Sequence, residues 1–161
     1  MKLNLFTLMT ALLVTVLSVK AQDEPKNSGI SEFDDFKKSA YALRGSTKDI
    51  KQTITDIDTE VKNLTDKDKQ SDLSKIDGYI NNLMSSKEAV AKLGTQAASL
   101  TTTGADLVKK APKAKPIMKA KAATTNTKKS VEQVDKSKED LESSKQMIED
   151  NLKILKELKG E

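Results

Sequence analysis

The chain has 161 residues, 28 Lys or Arg against 24 Asp or Glu, and only 36% hydrophobic and 3% aromatic residues beside 32% charged ones. So little apolar material fills a thin core, as in an elongated helical protein, and not the wide core of a compact globule. The absence of His and Cys excludes the commonest general base, the thiol nucleophile, disulfides and nearly all zinc or copper sites.

Residues 1–21 have the layout of a secretory signal peptide: basic Met1-Lys2, an uncharged run from Leu3 to Val19, and Val19-Lys20-Ala21 before a cut at Gln22. The pattern resembles bacterial export signals, and a eukaryotic secretory signal has much the same form. An uncleaved anchor is the alternative, since the run lies at the bottom of the spanning range. A secreted or periplasmic location is expected, without a lipoprotein cysteine. Processing removes Lys2 and Lys20 and no acid, so the mature charge falls from +4 to +2. Residues 22–30 (QDEPKNSGI) read as a mobile polar leader.

The first helix is predicted from Ser31 to about position 66. Phe33, Phe36, Ala40, Leu43, Thr47, Ile50, Ile54, Ile57, Val61 and Leu64 recur at alternating steps of three and four, the a/d seam of a heptad that another helix must cover. Ser31 and Asp34 have capping-box spacing. Asp34 with Lys38 and Asp58 with Lys62 form acid-before-base pairs on the outer face. Asn63-Leu64-Thr65 is a sequon that carries a glycan only in a eukaryotic secretory pathway.

The polar stretch TDKDKQ, residues 65–70, predicts a reversal. A second helix follows over 71–110, with Leu73, Ile76, Ile80, Leu83, Lys87 and Val90 on its seam. Leu93, Ala97, Leu100, Leu107 and Ala111 then follow in a register displaced by about three residues. Gly94, Thr101-Thr102-Thr103 and Gly104 weaken helix propensity. One kinked rod and two helices split near Thr102 are both compatible with this pattern.

Residues 109–121, KKAPKAKPIMKAK, hold six lysines (Lys109, Lys110, Lys113, Lys115, Lys119, Lys121), no acid and two prolines, and predict an extended, solvent-facing linker. Their charge of +6 leaves the rest of the processed chain about 4 units net negative. A third helix is predicted over 124–159, with a seam of Val131, Val134, Lys138, Leu141, Lys145, Ile148, Leu152 and Leu155. Glu132 with Lys136 and Glu149 with Lys153 lie on its outer face.

Three stripes with reversals between them predict an all-α, elongated antiparallel three-helix bundle or coiled-coil hairpin after a cleaved signal peptide. Thr47, Lys87, Lys138 and Lys145 on the seams fit either an anionic-ligand site or register-setting positions at the bundle edge. No catalytic, cofactor or metal residues are expected. The acidic pairs Asp34-Asp35, Asp56 with Asp58 and Asp66 with Asp68 lack the spacing of a calcium loop, and the glycines are scattered.

Three functional classes follow. The first is an exported, non-enzymatic interaction or scaffold protein that packs its seam (Phe33, Phe36, Leu43, Ile50, Ile54, Ile57, Val61, Leu64) against a protein partner or a second copy. The second binds a polyanion such as DNA, lipopolysaccharide or acidic polysaccharide through the six lysines, without the interleaved aromatics that stack bases. The third lies on a membrane surface through opened amphipathic helices. A small-molecule substrate is not expected.

Overall fold

In the computed structural model, which describes residues 24–64 and 73–160, the three stripes close on one another in an all-α antiparallel three-helix bundle. Helix α1 spans Ser31–Lys62, α2 spans Leu73–Lys110 and α3 spans Ile117–Lys159. No strand occurs among the described residues. Chain direction is up, down, up: Arg44 of α1 meets Asp140 of α3, whereas Gly104 near the end of α2 lies against Phe36 and Val131 near the starts of the other two. The predicted signal peptide, its cut before Gln22 and the 65–70 reversal lie outside the described residues.

Helix α1 ends at Lys62, slightly before the predicted end. Phe33, Phe36, Leu43, Ile54, Ile57 and Val61 are buried, and Ile50 and Leu64 are partly buried against the same core. Thr47, fully buried, returns its hydroxyl to the Leu43 carbonyl at 2.8 Å, so a polar residue sits on the seam without an orphaned donor. Of the four predicted acid–base pairs, only Asp58–Lys62 closes, at 2.8 Å.

Helix α2 runs unbroken, with neither a split near Thr102 nor a displaced register. Its inward positions are Ile76, Tyr79, Leu83, Ser86, Val90, Leu93, Ala97, Leu100, Gly104 and Leu107, an uninterrupted three-and-four progression. The slip arises from placing Ile80 and Lys87 on the seam in place of Tyr79 and Ser86. The threonine run is tolerated because Thr101, Thr102 and Thr103 donate to the carbonyls of Ala97, Ala98 and Ser99, one turn back.

Helix α3 keeps the same progression in an unexpected composition: Ala120, Ala123, Thr127, Ser130, Val134, Ser137, Leu141, Ser144, Ile148, Asn151 and Leu155 are all buried. Every second member is Ala, Ser or Asn. These side chains are short, so the backbone of α3 approaches both neighbours closely. Lys138 and Lys145, predicted on the seam, are exposed, as is Lys87 of α2. The alternative of an anionic-ligand site built from these lysines and Thr47 is not assembled.

The predicted extended linker is largely helical. Helix α2 reaches Lys110, a single 3-10 turn covers Ala111–Lys113, and α3 begins at Ile117, seven residues before its predicted start at 124. Proline lacks an amide donor but has a helix-ready φ, which suits boundaries. Pro112 is the second residue of the 3-10 turn, and Pro116 immediately precedes α3. Ala111 and Ala123 complete a small end core with Phe33, Phe36 and Leu107.

Residues 24–30, predicted as part of a mobile leader, are docked. The Lys37 side chain, on a residue only 3% exposed, donates to the Pro25 carbonyl at 2.6 Å and Asn27 Oδ1 at 2.7 Å, and pairs with Glu24 at 3.2 Å. From α3, Asn126 Nδ2 reaches the Lys26 carbonyl at 2.7 Å. Ser31 does not cap α1, since its hydroxyl donates to Asp35. Asp34 instead reaches back and accepts bonds from the Ser28 amide and hydroxyl and the Gly29 amide. Burial pushes the Asp34 carboxyl up, but those bonds and the Lys37 charge outweigh it and hold the group below the ordinary carboxylate range. Lys37→Met is expected to release this arm, with hydrogen exchange at the Ser28 and Gly29 amides accelerating by roughly tenfold or more while the α2 core stays protected. Unchanged exchange would mean that Asp34 alone retains the arm.

Candidate functional site

Charge and exposed apolar surface concentrate at one end of the bundle, where α2 passes into α3. Lys109 and Lys110 occupy the last turn of α2, Lys113 the 3-10 turn, Lys115 the short connector, and Lys119 and Lys121 the beginning of α3. All six are exposed. Two have loose intramolecular contacts: Lys109 lies 3.8 Å from Asp106, and Lys110 lies 3.8 Å from Glu32. Lys119 donates to the Gly29 carbonyl at 3.0 Å and so ties α3 to the docked arm. Lys113, Lys115 and Lys121 have no hydrogen-bond or ion-pair partner among the described residues.

Within this ring stand Ile117, 81% exposed, and Met118, 93% exposed. The inward progression of α3 traces back from Ala120 to Pro116, so both side chains fall off the seam, and α2 has already ended. The fold buries the end core beneath them and leaves this pair uncovered. The pair is visible in the sequence as the two large apolar residues in a segment otherwise made of Lys, Ala and Pro. Its exposure depends on where the two helices stop and start.

An open furrow of about 440 Å³ runs between α1 and α2, lined by small and uncharged residues such as Ser39, Ala42, Ser46, Gln96 and Ser99. At mid-bundle, Asp140 of α3 accepts from Arg44 and from Lys51 at 2.6 Å, and Arg44 also donates to the Lys136 carbonyl at 3.2 Å. Burial raises the Asp140 carboxyl, but the bonds from Lys51 and Arg44 and the charges behind them dominate and lower it. These groups pair with each other and present nothing to a ligand. Among the described residues, no three His, Cys, Asp or Glu side chains converge as metal ligands, and no helix is long and apolar enough to cross a membrane.

The eight seam residues of α1 lie against α2 and α3, far less open to solvent than the lysines. No protein-family model, curated protein or solved structure matches the chain.

Proposed function

We propose that this chain is an exported, non-enzymatic helical interaction protein that presents the lysine-rich end of a closed bundle to a polyanionic partner. The observation that carries this proposal is segregation of charge: six lysines without an acid are gathered around one helix junction, in a processed chain that is otherwise net negative. Coiled-coil packing with a partner is the weaker alternative, because the α1 seam is already covered by the protein's own helices. A partner would have to displace them.

Lysines attract phosphate and sulfate groups without demanding a fixed ligand geometry, and each contact releases condensed counterions. With six contacts to duplex DNA, affinity would fall with roughly the fifth power of salt concentration. Replacing Lys109, Lys110, Lys113, Lys115, Lys119 and Lys121 by Gln is expected to abolish retention on heparin at about 0.15 M ionic strength, with the helical circular dichroism spectrum unchanged. A variant that folds and still binds at that salt concentration overturns the assignment.

A further inference from the structure

We infer that the polyanion met by this end is an anionic lipid surface, into which Ile117 and Met118 insert while the surrounding lysines pair with headgroups. This inference rests on the polyanion proposal and adds what the lysines alone leave unused. Ile117 and Met118 are consecutive, 81% and 93% exposed, followed directly by Lys119 and preceded by Lys115 across Pro116. The other large apolar residues exposed among the described ones, Leu73, Met84 and Val108, are no more than 52% exposed and stand singly along α2. A soluble protein leaves two adjacent large apolar side chains uncovered at a cost in hydration, and such a patch rimmed by charge marks a contact surface.

Chemical complementarity selects the occupant. DNA and acidic polysaccharides offer anionic groups at their surface but no apolar interior to receive Ile117 and Met118. A bilayer containing anionic lipid offers both, with headgroup phosphates at the level of the lysine ammonium groups and acyl chains a few ångströms deeper. Neither element suffices alone, since stable attachment takes two signals, and an apolar insertion beside a basic cluster supplies them. Each lysine near such a surface contributes roughly fivefold in affinity, and each inserted Ile or Met roughly tenfold or more. The bundle stays closed: insertion uses side chains that already project, so the apolar seams of α1, α2 and α3 need not open onto the membrane.

The test compares vesicles of phosphatidylcholine alone, vesicles of equal parts phosphatidylcholine and phosphatidylglycerol, and immobilised heparin, at about 0.15 M ionic strength. The processed protein is expected to bind phosphatidylglycerol vesicles and heparin and to ignore pure phosphatidylcholine. The double variant I117S/M118S is expected to lose at least roughly tenfold in vesicle affinity and to keep its heparin affinity. Because the chain has no Trp, M118W adds a single indole, whose emission should shift to the blue with phosphatidylglycerol vesicles and stay unshifted with heparin. Equal vesicle binding by I117S/M118S and the parent protein, or vesicle-bound M118W with unshifted emission, overturns insertion while leaving polyanion binding intact. Heparin binding without any phosphatidylglycerol binding rejects the lipid partner alone. Failure to bind either one rejects both proposals.

Discussion

Gly104→Val is expected to cost about 2–3 kcal/mol of folding stability and to lower the thermal midpoint by roughly 6–10 °C, whereas Gly94→Ala is expected to stabilise by about 1 kcal/mol. Both glycines are inside α2 and look alike in sequence. A Cβ at Gly104 would lie 2.8 Å from Phe36 Cζ and 2.9 Å from Val131 Cγ2, while one at Gly94 meets nothing within 4 Å. Phe36 is buried in the end core with Phe33, Leu107, Ala111 and Ala123, so its ring has little room to retreat. Overpacking therefore outweighs the gain in helix propensity at position 104 and has no counterpart at 94. Urea and thermal unfolding followed by circular dichroism measure both changes. Adding Phe36→Leu to Gly104→Val should recover part of the loss, because the two positions share one volume. A Gly104→Val protein as stable as its parent would mean that the three helices do not converge there.

The contrast between those glycines shows which parts of the bundle are legible in the sequence. Helix α1 is readable because its inward positions are mostly large: Phe33, Phe36, Leu43, Ile54 and Ile57 mark the seam unaided. Helix α3 is harder, because seven of its eleven inward positions are small or polar. Ser130, Ser137 and Ser144 recur every seven residues, a period as regular as that of the aliphatics, but one that scoring by hydrophobicity passes over. Burying serine is tolerable for close packing but costly in hydrogen bonds. Ser137 donates to the Gln133 carbonyl at 2.8 Å, while the Ser130 and Ser144 hydroxyls have no partner among the described residues.

Proline misleads for a related reason. Pro112 and Pro116 suggest extended chain throughout 109–121, yet proline excludes helix interiors and not helix starts, and the buried Ala120 and Ala123 reward an early start for α3. The lysine cluster is legible by counting. Exposure of Ile117 and Met118 follows from where α2 ends, and docking of residues 24–30 from the meeting of Lys37, Asp34 and Asn126, which are far apart in sequence or hidden on one face of α1. Long-range polar contacts of this kind carry no periodic signal.

Asp140→Ala is expected to destabilise the protein by about 2 kcal/mol at neutral pH, and the difference from the parent should shrink in acid. Arg44 and Asp140 are largely buried, and removing the acid leaves the guanidinium without its carboxylate and Lys51 without its partner. A fully buried pair broken in this way costs about 3–5 kcal/mol. The lower figure follows because the Lys51 side chain is 38% exposed and water screens its share. The bonds from Lys51 and Arg44 hold the Asp140 carboxyl below the value it has in the unfolded chain, about 3.9. Its contribution is therefore complete above that unfolded value and is lost as pH falls through the lower folded one. Asp34 acts in the same direction through Ser28 and Gly29, so the parent should weaken below about pH 4 and D140A should weaken less steeply. Stability measured by urea unfolding between neutral pH and about pH 3 decides the point. A gap between parent and variant that stays constant across that range would show that Asp140 contributes packing alone, and that the link between α1 and α3 at mid-bundle is not electrostatic.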